Sequence, residues 1–331
     1  MRIQGSAGLI AFVVAGVLPA AAFAEATVAR VSVIASGSVT VTRAGERAPT
    51  VASVNWPLVA GDAVATDSSA RAEIQVDGFT DVRLNGAVTM QIVANDARLR
   101  RIALRSGVIE LAVLRGSAVP VEIATPAFTL RTRYAGDYRI ALCSDGTAAV
   151  TPRSGQADVV TKNETETVLA GNTLAVRRTG DSVSTQAEPA QARDAFDAFN
   201  ADRDRTLLAA LDDNTHVPAS IAGYDDLNAY GKWTNLASYG AVWVPNDQPA
   251  DWAPYRDGAW SYVGNDGWTW IGNEPWGWIP YHYGRWLYSS GYNWCWYPPP
   301  MGFNPSWAPA LVGFFGDGTG DFPNFGWVPL A

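Results

Sequence analysis

The sequence predicts a mainly β protein in three parts. These are an N-terminal β-sandwich or solenoid-like domain, a short α-helical junction, and a C-terminal domain of repeated aromatic β-hairpins. Three observations predict it. From Val28 to about Arg178, short alternating apolar and polar runs are punctuated by Gly, Asn and Asp, the grammar of strands and turns. Around residues 196–211, side chains of one stripe fall three or four positions apart, as on a helix. Beyond residue 229 lie thirteen of the fourteen tryptophans and nine of the twelve tyrosines, in a pattern that repeats. The expected segments are 1–24, 25–180, 181–229 and 230–331.

Residues 1–24 read as a signal peptide. Arg2 is followed by an apolar and small-residue run from Leu9 to Ala22, and Ala22-Phe23-Ala24 has the small-x-small form of a cleavage site. The run is too short for a comfortable transmembrane helix, and no later stretch approaches twenty apolar residues. The expectation is a bacterial protein, periplasmic or secreted, with no membrane span after cleavage. A net charge of −8 argues against a nucleic-acid partner, which needs a concentrated basic face. Cys143 and Cys295, the only cysteines, lie in different halves and are expected as two buried free thiols.

In the first domain VSVIASGSVTVTRAG, RAEIQVDG, TDVRLNG, TMQIVAND, RRIALRSGVIELAVL and FTLRTRYAGDYRIAL all read as strands. The alternation in Ala72-Glu73-Ile74-Gln75-Val76 is that of a half-buried strand, and Arg131 and Arg133 are expected on one solvated face. Several motifs in order resemble a FecR-type domain. They are a G-x-V-x-V strand at Gly37, the L-x-x-G-D turn from Leu58 to Asp62, Asp77-Gly78, SGVIEL, and VEIATPAFTLRTRYAGDYRIAL. One element departs from the family pattern, reading Gly136-Asp137-Tyr138-Arg139. The resemblance implies a periplasmic domain that senses an outer-membrane receptor. In that family the signal passes through a transmembrane helix to a cytoplasmic segment that controls a sigma factor. Neither of those parts is recognisable here, so the domain is expected to act outside the cytoplasm on its own.

The junction begins with TQAEPAQA, a linker by composition. Pro189 then opens a helical pattern with Phe196, Phe199, Arg203, Leu207 and Leu211 on one stripe. Asp194, Asp197, Asp202 and Asp204 are expected on its solvated face, and Pro218 follows its end.

Three units align in the last part: YGKWTNLASYGAVWVP, DGAWSYVGNDGWTWIG and YGRWLYSSGYNWCWYP. Each opens on G-x-W and carries a second Trp ten residues on, giving Trp233/Trp243, Trp260/Trp270 and Trp286/Trp296. Each reads as a hairpin; Trp260 and Tyr262 share one face, as do Trp268 and Trp270. Proline-bearing connectors, expected as extended edges or corners, lie between the hairpins. FGWVP near the end repeats the connector motif. GYDDLNAYGKW, WAPYRDGAW, EPWGWIPYHYGRW, APALVGFFG and GWVPL resemble a Trp-rich domain of unknown function found in bacterial exported proteins, often just after a FecR-type domain. The resemblance implies no biochemical activity. Similar chains continue past the G-W-x-P-L motif.

Function is expected to be non-enzymatic: an envelope binding or scaffolding protein whose partner is another envelope protein or a cell-wall or surface glycan. Candidate binding residues are Trp252, Tyr255, Trp278, Tyr281 and Trp307, on connectors where a ring is easiest to expose. Against exposure stands the scarcity of Leu, Ile and Val, which requires most of the tryptophans in the core. Glu274 and His282 are the candidates for a hydrolase, as acid and base. They do not recur in the other units, but no second carboxylate or metal-binding motif accompanies them. Glu274 could instead accept from indole N–H groups or pair with Arg285. No cofactor or metal is expected.

Overall fold

The computed structural model describes residues 27–302 except 118 and 144, together with 305–315 and 326–330. The expected leader lies outside these. The protein is mainly β, and no helix among the described residues is long and apolar enough to cross a membrane.

Two sheets of nine strands enclose one aliphatic core. From edge to edge, the first sheet runs β4 (Pro57–Leu58), β1 (Ala29–Ser36), β6 (Arg71–Gln75), β7 (Thr80–Asn85), β9 (Arg100–Val113), β12 (Gly136–Leu142), β13 (Thr147–Pro152), β16 (Asn172–Thr179) and β17 (Ser182–Pro189). The second runs β3 (Thr50–Val51), β2 (Val39–Thr42), β5 (Ala63–Thr66), β8 (Thr89–Asn95), β9 again, β10 (Val121–Ala124), β11 (Thr129–Thr132), β14 (Gln156–Val160) and β15 (Thr165–Leu169). Strand β9 thus serves both sheets, its first half in one and its second half in the other. It changes sheet at Gly107, whose φ of +93° strains any side chain and where a Cβ would stand 2.9 Å from the Ala87 carbonyl oxygen. Inward-facing Val31, Ile74, Leu84, Ile109 and Ile140 meet Val64, Met90, Ile102, Leu130 and Val159 in the core, so the sandwich reading holds over the solenoid.

The junction differs from its sequence expectation. The first part of TQAEPAQA is no linker, because Thr185–Pro189 continues β17 as the last strand of the first sheet. Helix α1 spans Ala195–Asp213 and begins after Asp194, which caps it with a reciprocal capping box to Asp197. A short helix α2 (Tyr224–Tyr230) follows. Both helices lie on the outer face of the first sheet, and this overturns two expectations at once. Glu73 and Gln75 are not solvated but 0% and 2% exposed, and Asp197, placed on the open face by sequence, is 2% exposed. Polar sheet residues here face polar helix residues, a complementarity that strand period alone does not reveal.

The C-terminal domain contains the three expected hairpins. They are β18 (Gly231–Leu236) with β19 (Gly240–Pro245), β20 (Gly258–Val263) with β21 (Gly267–Gly272), and β22 (Arg285–Ser289) with β23 (Asn293–Tyr297). The first and third join through Trp243 opposite Trp296. The terminal motif is not a connector but a strand: β25 (Gly326–Pro329) pairs with β24 (Val312–Phe315). Nor is the second connector extended, since Trp278–His282 coils into a one-turn helix, α3. The structure also explains the G-x-W motif. A Cβ on Gly231, Gly258 or Gly284 would stand 2.2, 2.6 or 2.8 Å from the ring of Trp243, Trp270 or Trp296 respectively. Each glycine is the seat of its own hairpin's second tryptophan.

Candidate functional site

Glu274 precedes α3 and is 9% exposed. Its Oε1 accepts from the Trp252 indole at 3.2 Å, while its backbone carbonyl accepts from Asn55 of the first domain at 2.9 Å. Burial raises its pKa, and the neighbouring Tyr281 hydroxyl is also pushed up, by its own burial first and the Glu274 charge second. The indole contact matches expectation. The Arg285 pairing does not form; that side chain donates to the Gly284 carbonyl instead.

His282 closes α3 and is 2% exposed. Its ring stacks on Trp307 at 4.8 Å and packs against Trp278 at 4.9 Å. A carbonyl can only accept, so the contact of Nδ1 with the Ala308 oxygen at 2.7 Å makes Nδ1 the N–H donor. Burial pushes the imidazole down to about 4, so it is neutral near pH 7. Among the described residues, Glu274 and His282 share no hydrogen bond or ion pair. The carboxylate fastens connectors together, and the imidazole fastens the segment around Ala308 to α3. No group of three His, Cys, Asp or Glu among the described residues could hold a metal.

The expectation that connector rings are exposed fails for three of the five. Tyr255, Trp278 and Tyr281 are 2%, 1% and 0% exposed, and Trp252 and Trp307 are half-buried. The connectors fold inward because the domain core is aromatic. Trp243, Tyr255, Trp270, Trp276, Trp278, Tyr281, Trp286 and Trp296 all belong to it. Several polar ring atoms of the core find backbone partners. The Tyr255 hydroxyl donates to Tyr281 O at 2.7 Å, and the indoles of Trp243, Trp286 and Trp296 donate to Leu227, Pro280 and Tyr283 carbonyls at 2.9, 3.0 and 2.8 Å. Cys143 is likewise exposed rather than buried; Cys295 is buried as expected, and both thiols are free.

The exposed rings are elsewhere, at the hairpin tips. In the second hairpin Trp260 opposite Trp270 forms an inner rung, and two residues further out Tyr262 opposite Trp268 forms an outer one. The outer pair is 58% and 63% exposed, its rings edge-to-face at 5.8 Å. The third hairpin repeats the arrangement. Tyr288 stands opposite Trp294 at 5.6 Å, with Tyr288 67% exposed. In the first hairpin the equivalent positions are Asn235 and Ala241. Half-buried Trp260 also touches Phe314 at 5.3 Å, extending the aromatic surface of the second hairpin onto β24. The signal for these rings was the strand period itself. A residue two places beyond a core Trp shares its face but lies past the rim of the core.

Residues 224–331 match a family of unknown function, DUF6600. No curated protein matches the chain. Two solved structures are similar to it, both putative anti-sigma factors from Parabacteroides distasonis ATCC 8503. One is 19% identical over 39% of this chain and 61% of its own, with a TM-score of 0.35; the other is 21% identical over 34% and 53%, with a TM-score of 0.30. The chain therefore spans less than two thirds of either, and likeness at this level carries no argument about function.

Proposed function

We propose that the protein is an exported, non-enzymatic binding module of the bacterial envelope whose contact surface is the set of outer aromatic rungs, with a neutral cell-wall or surface glycan as ligand. One observation carries the reading. A Tyr/Trp rung recurs at the same position in two hairpins, and three of its four rings, Tyr262, Trp268 and Tyr288, stand exposed, with Trp294 half-buried beside the core. Edge-to-face pairs present a flat apolar ring face, the shape that stacks on the apolar face of a sugar. Charge supports a neutral ligand: after residue 229 there are seven Asp and Glu against three Lys and Arg, which disfavours anionic partners. The FecR-type motifs support an extracytoplasmic site of action for the first domain, where it would meet an envelope protein. Glu274 and His282 play no part in this reading, because Glu274 Oε1 and His282 Nδ1 are engaged in contacts that hold the connectors together.

Sedimentation with peptidoglycan and neutral polysaccharides, followed by tryptophan fluorescence titration, tests it. Trp268→Ala combined with Tyr288→Ala should abolish retention while the fold persists. Full retention of that variant, or no retention of the parent on any glycan, would end the reading.

A further inference from the structure

A row of alternating charge crosses the first sheet beneath α1. Glu73 stands opposite Arg83, Arg83 opposite Glu110, and Glu110 opposite Arg139, on four adjacent strands. Each member has a use except one. Arg83 donates to Glu73 at 2.9 Å, pairs with Asp204 of α1 at 2.7 Å and donates to the Asn200 carbonyl at 3.1 Å. Arg139 turns to Asp194 and Asp197 at the start of α1, at 2.7 and 3.2 Å. Arg153 also holds Asp197, at 2.7 Å, and Arg203 of α1 returns to Glu73 at 2.8 Å. Glu110, flanked by two arginines, is left with neither, and its Oε2 is buried without a partner.

Glu110 is 1% exposed and borders a cavity of about 370 Å³ under α1. Arg83 faces it from β7, Asp137 and Arg139 from β12, Arg153 from just past the end of β13, and Asp197, Asn200 and Asp204 from α1. Arg193 and Arg205 line the same cavity. Both side-chain polar atoms of Asn200 are also buried there without partners. The cavity is polar and roomy enough to admit water, and with it a proton. Helix α1 itself is divided in what holds it. Its first half is fastened by the ion pairs just described, whereas Ala210 and Leu211 at its end belong to the aromatic core of the other domain.

We infer that Glu110 is a proton-operated release for the first half of α1: protonated, it lets the helix dock, and ionised, it loosens that half while the second half stays anchored. Burial, then the nearby Asp137 charge, raises the Glu110 carboxyl to about 8, with Arg83 opposing. The docked state therefore binds a proton that the free side chain would release near its ordinary value of 4.5. The stabilisation is complete below that value and is lost as pH rises through about 8. Burial acts in the same direction on Asp204, raised to about 6.

Hydrogen exchange on the full chain at pH 6 and pH 9, corrected for the intrinsic pH dependence, tests the release. Amides of residues 198–204 should lose protection at least about tenfold at the higher pH, while those of 208–213 hold theirs. Glu110→Gln should abolish the difference. Should that variant fail to fold, Asp137→Asn serves, since removing its charge should move the loss of protection to lower pH. Unchanged protection of the first half in the parent would overturn the inference. So would an equal loss in Glu110→Gln, or an unmoved profile in Asp137→Asn.

Discussion

The sandwich and the hairpin domain solve the same problem with different materials. In the sandwich, Val, Ile and Leu fill the space between two sheets, and almost any branched aliphatic side chain can occupy an inward position. In the hairpin domain the core is built of indole and phenol rings, and Trp243, Tyr255, Trp286 and Trp296 are each tied by an N–H or O–H to a particular carbonyl. An aliphatic core tolerates approximate filling. An aromatic one fixes its neighbours, down to the glycine against which each ring lies.

The largest expected effect lies on the aromatic side. Trp296→Ala, at a residue 0% exposed, should cost about 3–5 kcal/mol in urea unfolding, whereas Ile140→Val in the sandwich should cost only about 0.5–1.5 kcal/mol. Equal losses would erase the contrast between the two cores. Next comes the buried charge row. Glu73→Gln leaves Arg83 and Arg203 facing an uncharged amide, and a loss of about 3 kcal/mol is expected.

Acidification reads the same group. Burial alone would raise Glu73, but Arg83 and Arg203 overcome it and hold the carboxyl at about 2. Its folded value lies below its ordinary value of 4.5, so its stabilisation is present above 4.5 and is lost as pH falls toward 2. Since Glu110 acts in the opposite sense, melting temperature should peak near pH 5 and fall on both sides. A profile flat from pH 3 to 9 would contradict both assignments. Asp194→Ala, removing the cap of α1, should cost about 1–2 kcal/mol. The smallest effect on stability, within about 0.5 kcal/mol, is expected for Trp268→Ala at an exposed tip, even though it should weaken glycan retention.

Much of the strand pattern was legible because alternation and turn residues report directly on the backbone. The three hairpins were legible because the repeat put Trp at fixed spacing. What escaped was what each face meets. Glu73 and Gln75 looked solvated because their strand alternates, and only the docking of α1 and α2 covers them. Tyr255, Trp278 and Tyr281 looked exposed because proline marks edges, yet the connectors turn inward to fill a core short of aliphatic residues. Tyr262 and Trp268 carried the right period, but the sequence does not state where the rim of the core falls. Period assigns a residue to a face; only packing decides whether that face is dry.

Strand β9 has a consequence for how the first domain comes apart. Because its fourteen residues are held jointly by both sheets, neither sheet can melt away and leave the other with all its partners. The sandwich is spliced rather than merely stacked. A pull or a denaturant acting on one sheet is transmitted along a continuous backbone through Gly107 into the other. The unfolding of this domain should therefore be all-or-none, with no half-dismantled form that keeps a single layer intact.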